Sequence, residues 1–245
     1  MDVRISDAAL DWDQAEEQLE RSGIAMTPPL LSPGQCADLV RLYDKDELFR
    51  STVVMSRHAF GEGSYRYFRD PLIPVVQELR TGLYPPLARL ANRWADRLGD
   101  RDALGTTPGP GPAYPERLAE LLDACAAAGQ RKPTPLLLRY GPGGYNCLHQ
   151  DVYGDITFPL QVAIMLSTPD ADFSGGESVF VEQRPRAQSR PIVARPGLGQ
   201  GIIFPVRNRP VPAARGYKRV AMKHGVSTVL SGQRHVLGVI FHNAR

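Results

Sequence analysis

Leu136-Leu137-Leu138-Arg139-Tyr140-Gly141-Pro142-Gly143-Gly144-Tyr145-Asn146-Cys147-Leu148-His149-Gln150-Asp151 reads as a strand, a turn and an extended segment carrying chemistry. On extended backbone, side chains two apart point the same way, so His149 and Asp151 share a face while Gln150 looks elsewhere. In a chain with five histidines a His-x-Asp is a weak signal by itself, and a surface hydrogen-bonded pair accounts for it equally well. It gains weight from His224-Gly225-Val226-Ser227-Thr228-Val229-Leu230-Ser231-Gly232-Gln233-Arg234. There His224 starts a strand-like run with Val226 and Val229, Ser231-Gly232 offers a hairpin, and Arg234 opens the returning strand beside the histidine. Two imidazoles and one carboxylate on one face of a metal leave its other positions open, which suits non-haem Fe(II). An arginine beyond the second histidine supplies a fixed cation for a dicarboxylate.

Around these stretches the grammar changes at Lys132. Before it, residues 8–22 show helical spacing through Leu10, Trp12, Ala15 and Leu19. Ser32-Pro33 looks like an N-cap and first-turn proline for a helix through Cys36, Leu39, Val40 and Tyr43. A longer helical pattern covers about 74–98, which Tyr84-Pro85-Pro86 is expected to kink or split. A loop over Gly105–Pro115 and a helix over about 114–128 follow. After Lys132, strands fit Leu136–Tyr140, Phe158–Ser167, Ser178–Glu182, Gly201–Pro205, Val226–Leu230 and His235–Phe241. Helices first and short strands afterwards describe an α+β domain whose second half is a small β-sandwich or jelly roll.

Composition narrows the class. At 245 residues with 42% apolar content the chain can bury a core, and no run of about 18 apolar residues offers a membrane span. The N-terminus lacks a basic-then-apolar signal pattern. Cys36, Cys125 and Cys147 are scattered, which argues against a disulfide framework and for a cytoplasmic protein. From Ser178 to Arg245 the one acid is Glu182, against twelve Lys and Arg. Either the two halves neutralise each other, or this third forms a basic mouth for an anionic substrate, nucleic acid included.

The residues also carry a family resemblance. Arg139-Tyr140-Gly141-Pro142-Gly143 ahead of His149-Gln150-Asp151 resembles the approach to the iron site in the 2-oxoglutarate oxygenase superfamily. Its wording is similar to the DNA-alkylation-repair branch, where a Tyr sits nine residues before the first ligand, as Tyr140 does. The His224–Arg234 phrase resembles the prolyl-hydroxylase branch, where the cosubstrate-anchoring cation lies ten residues after the distal His. Gly175-Gly176-Glu177 recurs in that branch too. As a whole the chain resembles a family of bacterial 2-oxoglutarate oxygenases usually described as oxidative repair of damaged DNA. Phe49-Arg50-Ser51, Tyr65-Arg66-Tyr67-Phe68, Ala91-Asn92-Arg93-Trp94, Tyr145–Asp151 and Glu182-Gln183-Arg184-Pro185-Arg186 carry that match.

The resemblance implies a double-stranded β-helix (jelly-roll, cupin-like) over residues 133–245, with a mainly helical region 1–132 packed on it. It implies Fe(II) held by His149, Asp151 and His224. It implies 2-oxoglutarate and O2 as cosubstrates, with Arg234 pairing the distal carboxylate and the Tyr140 hydroxyl assisting. The repair branch places an Asn two residues before its Tyr, where this chain has Leu138, and its later arginine spacing is absent here.

Other residues compete or assist. His235 has Arg245 ten residues on but lacks the phrase around His224; His242 has no cation after it, and His58 lies in the helical half. Arg207 and Arg209 are candidates for an anionic part of the substrate, against a solvated loop, and Tyr65, with Arg66 and Tyr67, for a lid. Three functions fit: a hydroxylase of a small molecule or protein side chain releasing succinate and CO2, an oxidative demethylase of alkylated nucleic acid, or a non-catalytic jelly-roll binding module.

Overall fold

A computed structural model describes residues 10–100, 113–184 and 186–245. Most of the loop expected at Gly105–Pro115 lies outside the described residues. The first half holds α1 (Trp12–Ser22), β1 (Ala25–Pro29), α2 (Pro33–Leu42), β2 (Phe49–Val54), β3 (Gly61–Glu62), β4 (Ser64–Phe68), α3 (Pro74–Leu98) and α4 (Leu118–Ala127). The second half runs β5 (Leu136–Tyr140), β6 (Tyr145–His149), β7 (Leu160–Met165), β8 (Phe173–Gly175), β9 (Ser178–Gln183), β10 (Arg190–Ala194), β11 (Gln200–Pro205), β12 (Asn208–Pro212), β13 (Tyr217–Val226), β14 (Val229–Gly232) and β15 (Arg234–Ile240).

The helices follow their local signals. Asp11 caps α1 and Gly23 ends it in the left-handed region. Ser32 and Gln35 form a capping box for α2, with Pro33 in its first turn. Of the kink or split expected at Pro85-Pro86, the split is corrected, because α3 runs continuously through both prolines. Leu79, Leu83, Tyr84 and Leu87 around them are fully buried, and that packing outweighs the lost helical hydrogen bonds.

Antiparallel strands build two main sheets, one ordered β1-β11-β7-β15-β5-β4-β2 and one β10-β9-β13-β6-β3, with β12 also on β13. The first half is mainly helical, but it also adds strands that its sequence reading did not include: β1, β2 and β4 extend the larger sheet and β3 edges the smaller one. The reason was visible in the alternation of Ser64-Tyr65-Arg66-Tyr67-Phe68. Its even positions go one way, with Arg66 donating to the Tyr43 carbonyl and Phe68 in the core, and Tyr65 and Tyr67 go the other. Prolines in β1 are tolerated because it is an edge strand.

The pleat of the larger sheet separates two environments. Leu237 and Val239 of β15 and Val162 and Ile164 of β7 pack on the helices. Arg234, Val236 and Ile240, with Gln161 and Ala163, face a cavity shared with the smaller sheet. Phe180 and Met222 of the smaller sheet meet Ile202 and Phe204 of the larger one beside it. No helix among the described residues is long and apolar enough to cross a membrane.

Arg209 is corrected from rim to core. It is 2% exposed, donates from Nε to Glu182 Oε2 at 2.9 Å and also caps the α1 carbonyl of Glu20 at 2.9 Å. Burial alone would push the Glu182 carboxyl up, but its bonds to Arg209 and Arg184 outweigh that and hold it below the ordinary value. Arg209→Met should therefore cost roughly 3–5 kcal/mol in urea denaturation, since a buried carboxylate loses its buried partner. With its folded pKa below the unfolded one, Glu182 contributes this stability above the unfolded pKa and loses it as pH falls through the folded value. The gap between wild type and variant should close in acid; a gap that stays constant would show that the charge pair is not its source.

Candidate active site

Strand register assembles the triad. His224 of β13 stands opposite His149 of β6, and the two rings lie 4.2 Å apart between centroids. Gly225 permits this approach, because a Cβ there would meet the Asn146 carbonyl oxygen at 2.5 Å. Asp151, two residues beyond His149, returns to the same face, and Gln150 donates away from it to the Arg207 and Met222 carbonyls. One donor atom each from His149, Asp151 and His224 lies within 4.8 Å of the others.

Hydrogen bonds set the state of these groups. His149 Nδ1 lies 2.8 Å from the Cys147 carbonyl, which can only accept, so Nδ1 carries the proton and the Nε2 lone pair is free. Burial, then the neighbouring His224, lowers the His149 pKa and keeps that ring neutral. Asp151 is the opposite case. Burial would push its carboxyl up, but His224, His149 and the Tyr153 hydroxyl hold it well below the carboxylate range. Two imidazoles, that of His149 neutral, and an ionised carboxylate make the donor set of a facial Fe(II) site.

The cation is nearby, by a route the sequence did not suggest. His224 lies near the end of the long β13 rather than opening a strand. The expected hairpin is corrected as well: β14 pairs with β8, whereas β15 pairs with β5 and β7. The turn signal was real, with Gly232 at φ 73°, but it passes the chain between sheets. Arg234 consequently sits opposite Tyr140 on β5, its guanidinium 5.5 Å from the ring centre. Its stem passes Gly176, where φ is 60° and a Cβ would meet Arg234 Cδ at 2.9 Å.

Arg234 is 3% exposed and lines a cavity of about 90 Å³ with the triad, Tyr140, Asn146 and Ser178. Its hydrogen bond is to Ser178 Oγ at 3.1 Å and Nε has no partner; Glu177 attracts it electrostatically without forming an ion pair with it among the described residues. Burial lowers its pKa to about 10 and pushes the Tyr140 hydroxyl up to about 12, so both stay protonated near neutrality. A buried guanidinium and a phenol aimed at an unfilled space call for an anion.

A second cavity, of about 360 Å³, also reaches His149 and Asp151. Tyr65, Tyr67, Tyr153 and Phe60 line it, with Leu148 exposed at its edge and no Lys or Arg in its lining. Tyr65 is thus beside the site, whereas Arg66 is bound elsewhere. Arg207 lines a separate cavity with Trp94, Asp155 and Arg219. His235 turns toward Tyr43 on the helix side of β15, and His242 Nδ1 accepts from the Phe158 amide. Neither belongs to the triad. Sequence reading missed Tyr153, although His149-Gln150-Asp151-Val152-Tyr153 continues the two-residue alternation. It also missed Gln161, the one polar side chain in β7, whose buried Nε2 has no partner among the described residues.

A family model described as "Oxygenase, catalysing oxidative methylation of damaged DNA" matches residues 63–244. The chain belongs to the Oxygenase-NA family. Two uncharacterised proteins of Mycobacterium tuberculosis, Rv2227 and MT2286, are 45% identical over 177 residues, covering 72% of this chain and 72% of each of them. A prolyl hydroxylase of Trichoplax adhaerens, solved with a hypoxia inducible factor peptide fragment, aligns at TM-score 0.56 and 13% identity over 95% of this chain and 89% of that one. A Burkholderia pseudomallei oxidoreductase of the 2OG-Fe(II) oxygenase family aligns at TM-score 0.50 and 18% identity over 96% and 95%. At these identities the structural likeness is one of fold. By family the chain is an oxygenase, its fold is shared with 2OG-Fe(II) oxygenases, and its His149-Asp151-His224 cluster could hold a metal ion.

The unpaired guanidinium has a measurable cost. Arg234→Met should raise the stability of the metal-free protein by about 1–3 kcal/mol, because it removes a buried charge that has no ion pair among the described residues and whose Nε has no partner. Chemical denaturation would show it, and a destabilised variant would mean that the charge is already compensated in the empty protein.

Proposed function

We propose that the two sheets form a double-stranded β-helix in which His149, Asp151 and His224 hold Fe(II), Arg234 anchors the distal carboxylate of 2-oxoglutarate with Tyr140, and a substrate C–H bond presented from the aromatic cavity is hydroxylated. The observation carrying this reading is Arg234: a buried guanidinium without an ion-pair partner among the described residues, in the same cavity as a three-donor cluster. Bound there, iron would supply O2 activation coupled to the oxidation of 2-oxoglutarate to succinate and CO2. The protein's own part is placement. Arg234 offers a planar pair of donors to a carboxylate, Ser178 steadies it, and the apolar walls around Phe180, Phe204 and Val236 exclude water.

The primary substrate enters beside Tyr65, Tyr67 and Tyr153. Rings and hydroxyls without cations favour a flat or apolar group, as in a small molecule or a protein side chain. Alkylated nucleic acid is the second reading, favoured by the family description and by rings able to stack a flipped base. Phosphate contacts would then come from Lys and Arg outside the cavity, and binding would weaken steeply with salt.

Metal-free protein, given Fe(II) and then 2-oxoglutarate without oxygen, should develop a visible charge-transfer band that His224→Ala lacks. Arg234→Ala should keep iron binding and raise the 2-oxoglutarate requirement at least about tenfold, the loss of a charge-assisted pair. No band in folded wild-type protein would refute the iron assignment, and an unchanged 2-oxoglutarate requirement would move the anchor elsewhere.

A further inference from the structure

His149, Asp151 and Tyr153 recur at every second position, so all three turn to the same side while Gln150 and the exposed Val152 turn away. The Tyr153 hydroxyl donates to Asp151 Oδ1 at 2.8 Å, and the Tyr67 hydroxyl donates to the Tyr153 oxygen at 3.2 Å. The direction of this chain is fixed, since an ionised carboxylate only accepts and each phenol has one proton to give. Asp151 Oδ2, which receives no such hydroxyl, lies 3.1 Å from His224 Nε2, while Oδ1 lies 3.6 Å from His149 Nε2.

We propose that Tyr153 is a positioning residue for the metal carboxylate: its hydroxyl, held by Tyr67, occupies Oδ1 and leaves Oδ2 to face the metal with the two histidines. The proposal rests on the reading of His149, Asp151 and His224 as iron ligands. Partners that hold a ligating side chain in one orientation commonly contribute a factor of about 10–100 in metal affinity or activity. Free rotation of Asp151 would let either oxygen, or both, approach the metal, and the hydroxyl removes that freedom. Tyr67 comes from β4, so a strand of the first half of the chain supports a metal site otherwise built from the second. Both phenols also line the aromatic cavity, which places the support of the carboxylate where a substrate enters.

Packing can be separated from hydrogen bonding. The Tyr153 ring stands edge-on to Tyr67 at 6.2 Å and lies 5.8 Å from the His242 ring, contacts that a phenylalanine keeps. The test is an anaerobic Fe(II) titration of full-length wild type, Tyr153→Phe, Tyr67→Phe and His224→Ala, with the charge-transfer band in excess 2-oxoglutarate as a second signal. Tyr153→Phe should bind Fe(II) about 10–100-fold more weakly and show a shifted band, with its 2-oxoglutarate requirement at saturating iron unchanged. Tyr67→Phe should shift both signals in the same direction by less. If wild type binds Fe(II), His224→Ala does not, and Tyr153→Phe matches wild type in affinity and band, the positioning role is overturned while the iron assignment stands. If wild type takes no Fe(II), the iron assignment itself fails and the proposal with it.

Discussion

The pleat of the seven-stranded sheet is the constraint on which the rest depends. Each strand between α3 and the smaller sheet must satisfy two surroundings with alternate residues. On β15, Leu237 and Val239 go to the helices, and Arg234, Val236 and Ile240 go to the cavity. A one-residue slip would turn Arg234 toward α2 and Tyr43 and His235 toward the cavity. The apolar side of the strand fixes that register, so hydrophobic packing holds the arginine in place. The same holds across the sheets, where Phe180 and Met222 flank the pairing that sets His224 opposite His149.

The chemistry was legible in the sequence because it obeys local rules. The His149–Asp151 alternation, the capping box at Ser32 and the core periodicity of α1 each depend on neighbours a few residues away. Three misreadings share one physical cause, the dominance of distant packing over local signals. Ser231-Gly232 is a true turn, but nothing nearby says that its two strands belong to different sheets. Pro85-Pro86 opposes helix locally, and side chains buried on either side override it. The prolines of β12 and the charged outer face of β13, with Lys218 and Arg219 exposed, masked two strands whose inward positions are apolar or functional.

Arg209 shows how composition misleads about function. Part of the basic excess of the last third is not surface at all: Arg209 serves Glu182 and the end of α1, and Arg234 lies in the core. Net charge counted along a chain says nothing of which charges reach solvent. The aromatic wall of the second cavity, supplied partly by β4, had equally little weight in a count, although it adjoins the triad directly.

Arg234 also bears on the life of the protein between turnovers. If Arg234 anchors the cosubstrate as proposed, a fold that keeps this guanidinium without an ion pair in its interior is at its weakest when the dianion is absent. Any anion binding only the native state raises stability by RT ln(1 + [L]/Kd), about 2.7 kcal/mol at a hundredfold excess over Kd. The abundance of this chain under proteolysis would then track the supply of its cosubstrate, a metabolic readout written into resistance to unfolding rather than into rate.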